Sequence, residues 1–440
     1  MPDFHTLYDA YTVPLRGGRA ARLSDATTAL ASIPDGARIG IPTLSGAPMG
    51  LLQALDDERG RWSSLEIVGG ILLQPIPPLA HAGEPFRFTS WQFSGPYSEA
   101  NAAGHVDVIP TRYSQTVGMF GPGGARAVDV VMVQVSPPGP EGRLSLGASG
   151  GTTIDMARGA QVLIGQVNAQ VPYTFGASEL PRDAFDWLVE MDSPIIESLR
   201  AEPGEVERRI ADYVLDLLPP GATLQFGIGA VPEAIMARLP LGQDFGVHSG
   251  LISDGIMEVM ESGAVTNARK TDDRDAVICA EAAGGRALFD WLDRNPRVRM
   301  APGLYTHGLS VLSRAHALTA INSAVEVSLD GAINAESVGT RLLSGPGGQP
   351  DFAEAALWSA GGVGVIAMPS TAARGKVSRI VRRIDGGAVV TVARHSADRI
   401  VTEFGVAELR GRTLRERAER LRAIAHPDFQ AALEQAEEDS

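Results

Sequence analysis

Short apolar runs divide the chain into many strands and helices of modest length. Val128-Asp-Val-Val-Met-Val-Gln-Val135, Gln161-Val-Leu-Ile-Gly165 and Gly362-Val-Gly-Val-Ile-Ala-Met368 are almost continuously apolar. Such runs predict strands buried on both faces, as in parallel sheets covered by helices. Helical segments are expected between strands: Met49 to Asp57, Glu233 to Leu239, Ile252 to Ser262 and Arg286 to Asn295. Asp330-Gly331 separates Ala324-Val-Glu-Val-Ser-Leu329 from Ala332-Ile-Asn334, which predicts a hairpin. Asp385-Gly-Gly387 separates Val377 to Ile384 from Ala388 to Val392 and predicts another, so the sheets are expected to be mixed. The end of the chain reads as helix over Leu414 to Ala423. Pro427 then stands in the first turn of a last helix, and Glu437-Glu-Asp-Ser440 forms a frayed tail.

One unit occurs twice. Ile33-Pro-Asp-Gly-Ala-Arg-Ile39 is answered by Leu218-Pro-Pro-Gly-Ala-Thr-Leu224. Each follows a helical segment and leads through an apolar strand to a small-residue turn, Ser45-Gly-Ala-Pro48 or Gly229-Ala-Val-Pro232, and then to a helix. Strand, turn and helix make one βα unit of an open α/β sheet. The repeat predicts two similar open α/β domains, residues 1–204 and 205–440, joined near Pro194 to Glu205.

Composition narrows the function classes. With 440 residues, 44% hydrophobic and 20% charged, the chain suits two large globular domains. The net charge of -14 argues against sequence-independent binding to nucleic acid or an anionic membrane. No segment carries the roughly 18 consecutive apolar residues of a membrane span, and Met-Pro-Asp-Phe-His5 does not resemble a secretory signal. The single cysteine, Cys279, excludes an intrachain disulfide and fits a cytoplasmic location. It lies in Ala276-Val-Ile-Cys-Ala280, where it reads as a small core residue rather than a nucleophile. The eight histidines show no metal-ligand spacing, so no metal is expected.

The candidate chemistry lies in glycine turns. In Gly227-Ile228-Gly229-Ala230-Val231-Pro232 a strand runs into a turn that opens a helix. Glycine there lets backbone N–H groups approach a ligand oxygen. Gly345-Pro-Gly347-Gly348-Gln349-Pro-Asp-Phe352 is a second such cluster. With Gly375-Lys376-Val-Ser378-Arg379-Ile-Val381, Val401-Thr-Glu-Phe-Gly405 and Ala425-His-Pro-Asp-Phe429, in this order, the chain resembles the acetyl-CoA hydrolase/transferase family of class I CoA-transferases. Val133 to Gly142, Val167-Asn168 and Pro172 to Gly176 extend the resemblance into the first half.

The resemblance implies two α/β domains with an interdomain cleft, coenzyme A as part of an acyl-CoA substrate, and a homodimer. It implies an oxyanion hole from the Val231 N–H and a backbone N–H near Gly348. Such donors match a thioester oxygen as charge builds on it. Gly227, Gly229, Gly347 and Gln349 would frame the CoA site, and Lys376, Ser378 and Arg379 would approach its phosphates.

One position departs. After His248-Ser249 the family places a glutamate that attacks the thioester and carries the CoA, and here the residue is Gly250. Tyr173 and Gly150-Gly151 also depart from the family pattern, which suggests a wider or more apolar acyl pocket. Three readings stay open. The first is an acyl-CoA hydrolase using water in the space beside Gly250, oriented or deprotonated by His248, and cleaving a thioester or a β-keto C–C bond. The second is a CoA-transferase whose carboxylate is displaced to Asp254, Glu258, Glu326, Glu336 or Glu403. The third is a CoA-binding protein without turnover.

Overall fold

Val130–Val135 is buried at every position and pairs in parallel with neighbours on both sides. Such a strand has no solvent face, which is why its sequence does not alternate. The computed structural model describes residues 6–18 and 20–434. They form two compact units. The first holds everything up to Leu199 together with Gly250–Asp254 and Ala276–Gly308. The second holds Arg200–Ser249, Gly255–Asp275 and everything from Leu309 on.

In the first unit, the main parallel sheet runs Arg22–Leu23, Trp187–Glu190, Val162–Val167, Val130–Val135, Arg38–Gly40, Leu65–Gly69, Phe86–Ser90 and Val106–Val108. The same unit carries Val277–Ala282, Val298–Met300 and Phe175–Gly176 as parallel neighbours. In the second unit the order is Gly405–Glu408, Arg399–Thr402, Val363–Ala367, Thr319–Asn322, Thr223–Phe226 and then Gly246 onward. The two orders match. Arg38–Gly40 sits between Leu65–Gly69 and Val130–Val135, as Thr223–Phe226 sits between the strand from Gly246 and Thr319–Asn322. Both units are therefore copies of one doubly wound α/β pattern.

Local sequence explains the helices that flank these strands. Met49–Asp57 forms over its expected span and buries Leu51, Leu52 and Leu55. Leu414–Ala423 also forms as expected. It is opened by Thr413, whose Oγ1 accepts the Glu416 N–H while Glu416 accepts the Thr413 N–H at 2.7 Å. Pro427 begins the last helix, Pro427–Glu434. The tail at Glu437 to Ser440 lies outside the described residues.

Three expectations shift. The helix expected over Glu233 to Leu239 starts earlier, at Ala230, and ends at Met236, and that expected from Ile252 starts at Asp254 because Ile252 finishes a strand. The hairpin at Asp330-Gly331 forms, with Glu326–Ser328 antiparallel to Ile333–Asn334. The one expected around Asp385-Gly-Gly387 does not. Ile380–Val381 pairs in parallel with Glu326–Ser328, and Val392 forms an isolated bridge to Ile333. Both partners belong to the earlier hairpin, so each segment is drawn there rather than to the other. No helix among the described residues is long and apolar enough to cross a membrane.

Candidate functional site

Thr223–Phe226 is wholly buried and delivers the chain to Gly227, whose N–H donates to Ile321 O at 2.8 Å. Gly229 then takes φ 120° and ψ -179°, a conformation open only to glycine, and caps the helix Ala230–Met236. The Glu233 N–H already bonds Gly229 O, and Pro232 has no N–H. Ala230 and Val231 thus supply the first-turn donors that no helical carbonyl can accept. The Val231 side chain is buried while Ile228 stands 64% exposed before it.

Gly345 to Gly348 forms a second turn in the same unit. Gly347 takes φ 55°, and Gly348 caps the helix Gln349–Trp358, whose Phe352 N–H bonds Gly348 O. Gln349 Nε2 donates to Ser323 O at 3.1 Å, which ties this turn to the end of Thr319–Asn322. Gly227 approaches the same strand end, its missing Cβ falling 3.4 Å from Asn322 Oδ1. Two glycine-capped helix starts thus flank one strand end.

Lys376, Ser378 and Arg379 occupy a hairpin of Thr371–Ala372 with Val377–Ser378. Lys376 is exposed at its tip. Ser378 Oγ donates to Ile380 O at 2.7 Å. Arg379 Nε donates to Val325 O at 2.9 Å and Nη2 to Ala324 O. Burial lowers the pKa of this guanidinium, and Glu403 opposes that shift. These bonds give Arg379 a structural task, whereas Lys376 projects into solvent.

His248 is buried within Gly246–Ile252, and Gly250 is half-buried in the same strand. Gly250 lies within the extended strand Gly246–Ile252, a backbone conformation that residues with side chains also adopt. The five acids considered as replacements are all engaged. Asp254 accepts the Gly285 N–H at 3.1 Å. Glu258 binds Arg200 at 2.5 and 2.9 Å. Glu326 accepts Asn334 Nδ2 at 2.9 Å, Glu336 accepts Thr391 Oγ1 at 2.7 Å, and Glu403 accepts both the N–H and Oγ of Ser370. Tyr173 is packed against Gly139 and donates to Glu179 Oε1 at 2.8 Å, so its ring is held in the core of the first unit.

The sequence reading missed Glu281. It lies in the otherwise apolar strand Val277–Ala282, is 5% exposed, and meets Thr43, the Tyr113 hydroxyl and the Gly150 N–H. Burial raises its pKa well above the usual carboxylate value. An acid inside Val277-Ile-Cys-Ala-Glu-Ala282 was the available signal, because an unpaired carboxyl rarely enters a buried strand. The Ala283 N–H donates to Ile252 O at 3.0 Å. In a parallel pair that bond sets Glu281 across from Leu251, one residue out of step with Gly250. Adjacent strand positions face opposite sides of a sheet. Glu281 therefore does not restore a carboxylate on the face of Gly250.

Models of the acetyl-CoA hydrolase/transferase N-terminal and C-terminal domains match residues 21–197 and 284–437. The chain is 35% identical over 413 residues to a 4-hydroxybutyrate coenzyme A transferase of Clostridium kluyveri, covering 94% of this chain and 96% of that one. It is 30% identical over 224 residues to an acetyl-CoA hydrolase of Saccharomyces cerevisiae, covering 50% of this chain and 40% of that one. Among solved structures, RipA from Yersinia pestis superposes with a TM-score of 0.90 at 30% identity, covering 95% of this chain and 97% of that one.

Proposed function

The chain belongs to the acetyl-CoA hydrolase/transferase family, and from that premise we propose that it hydrolyses an acyl-CoA with water as the nucleophile. One observation carries the reading. The position that the family resemblance assigns to the attacking glutamate is Gly250, while the glycine-capped donors at Val231 and Gly348 are kept.

In this reading the Val231 N–H and a backbone N–H near Gly348 hold the thioester oxygen as it becomes an oxyanion. Losing one such donor typically costs about 2.7–4 kcal/mol. Water adds to the carbonyl carbon, the C–S bond breaks, and the acid and CoA thiol leave. His248 stands two residues before Gly250, hence on the same strand face. It suits the task of orienting the water and accepting its proton. Lys376 would meet a CoA phosphate from its exposed position at the hairpin tip.

Support for water over a displaced carboxylate comes from the acids themselves. All five candidates are engaged in local bonds, and Glu281 leaves the other face of its sheet. The test is mass spectrometry of the protein incubated with acetyl-CoA and with a bulkier acyl-CoA, beside an assay of released thiol. Thiol release with unmodified protein is expected. A CoA adduct on any aspartate or glutamate would overturn the water reading in favour of transfer.

A further inference from the structure

We propose that Gln349 and the amide pair Gln225–Asn322 are positioning residues for acyl-CoA turnover. Together they fix both donor turns of the second unit to one strand end, and so set the spacing of the Val231 N–H and the N–H near Gly348. This deepens the acyl-CoA reading above and rests on it.

All the residues concerned lie in the second unit. Thr223–Phe226 and Thr319–Asn322 are parallel neighbours, with Gln225 opposite Ala320 and Phe226 opposite Ile321. Ala320 and Asn322 are two residues apart and share a sheet face, and Gln225 shares it with them. Gln225 is 4% exposed, a depth at which glutamine is uncommon. Its side chain closes an amide pair with Asn322. Gln225 Nε2 donates to Asn322 Oδ1 at 3.2 Å, and Asn322 Nδ2 donates to Gln225 Oε1 at 2.8 Å. The backbone on either side of Asn322 is engaged as well. Ile321 O accepts the Gly227 N–H at 2.8 Å, and Ser323 O accepts Gln349 Nε2 at 3.1 Å. Residues 321–323 thus hold the turn at Gly227 on one side and the turn at Gly348 on the other.

Stability alone does not require these amides. Replacing both members of a buried hydrogen-bonded pair by apolar groups of the same shape can be nearly neutral. What apolar side chains lack is direction, since a hydrogen bond selects both a distance and an angle. Gln225 stands two residues before Gly227, and Gln349 opens the helix that Gly348 caps. Each amide therefore acts next to a donor turn and ties it to the same strand end. Oxyanion donors work because they are already aimed where charge will develop. A misplacement of about 1 Å in such a site can cost about 10²-fold in rate.

The experiment compares the wild type with Gln349→Met and with the double variant Gln225→Met, Asn322→Leu, which keep side-chain size and remove the bonds. Tm, and kcat and KM for thiol release from acetyl-CoA and butyryl-CoA, are measured for each. The second probe is the ketone analogue of acetyl-CoA in which a methylene replaces the sulfur, so that it cannot be hydrolysed. Its isotope-labelled carbonyl is followed by infrared spectroscopy, because donors that polarise a carbonyl lower its stretch. The wild type is expected to lower that stretch on binding. Both variants are expected to lose most of the shift and about 10²-fold in kcat, with Tm held and KM and analogue Kd within about twofold. The variants are judged separately, so one that fails to fold leaves the other to decide. A full shift with unchanged kcat in the variants would overturn the proposal. So would weaker analogue binding by Gln349→Met at unchanged kcat, which would make Gln349 a CoA contact instead. If the wild type shifts the carbonyl but releases no thiol, the hydrolase reading falls and the infrared comparison alone judges the positioning. No shift in the wild type would end the oxyanion reading and this proposal with it.

Discussion

The Tyr113 hydroxyl lies 3.3 Å from Glu281 Oε1, and the His307 ring stacks on the Tyr113 ring with centroids 4.1 Å apart. Burial drives both acids upward, and the glutamate raises the tyrosine further. Because burial raises the folded pKa of Glu281 above the ordinary carboxylate value of 4.5, its contribution to stability is complete below that value. The contribution is lost as pH rises through the folded value. Glutamine cannot ionise, so Glu281→Gln is expected to gain stability relative to the wild type as pH rises above about 5. Thermal melts across that range check this; a constant difference would show that the folded pKa of Glu281 is not raised.

Asp155 behaves similarly. Its Oδ1 accepts Thr12 Oγ1 at 2.6 Å and the Val13 N–H at 3.2 Å, while burial pushes its pKa up to about 6. Its contribution is intact below the ordinary aspartate value of 3.8 and is lost as pH rises through about 6. The span corresponds to roughly 2–3 kcal/mol. Asp155→Asn should remove this slope from the stability–pH curve measured by urea unfolding.

Gly250→Glu should place a carboxylate on extended strand backbone, a conformation that residues with side chains also adopt. CoA exchange between acetyl-CoA and a simple carboxylate is expected to rise, with a CoA adduct on residue 250 seen in the mass spectrum. An inactive, unmodified but folded variant would mean that the surrounding pocket no longer fits the transfer reaction.

Gly229→Ala should damage the oxyanion site, because φ 120° is strained for any residue with a Cβ. Space is not the obstacle, since nothing lies within 4 Å of the added Cβ. Relaxing that strain turns the Val231 N–H away. A fall in kcat of about 10²–10³ is expected, with a smaller change in KM.

Lys376→Ala should weaken binding alone. Lys376 is exposed and carries none of the bonds that fix Ser378 and Arg379. A rise of about tenfold in KM for the CoA ester, with Tm held, is the expected result. A Tm loss instead would reassign Lys376 to the hairpin's stability.

Much of this molecule was legible before any tertiary contact was known. The runs at 128–135 and 362–368 are strands because near-continuous apolar sequence suits a sheet covered on both faces. The repeated Pro-x-Gly-Ala entries foretold two matching strand orders. Helix starts were less legible. Ile252 has helical neighbours in sequence but completes a strand. The segment after Asp385-Gly-Gly387 carried a turn signal, yet Val392 bonds to Ile333, far earlier in the chain.

The sequence by itself determined the α/β pattern, the duplication, the glycine turns before Val231 and Gln349, and the loss of a side chain at Gly250. These are local properties: periodicity, turn chemistry and residue identity act within a few positions. Only the tertiary structure decided what the acids do. Glu326, Glu336 and Glu403 look interchangeable in sequence, but each has its own partner in the fold. Glu281 acquires its meaning from Thr43, Tyr113 and Gly150, distant segments that folding brings to one buried carboxyl. An acid inside an apolar run marks the position in sequence, but its desolvation depends on that three-dimensional surrounding, which no local pattern specifies.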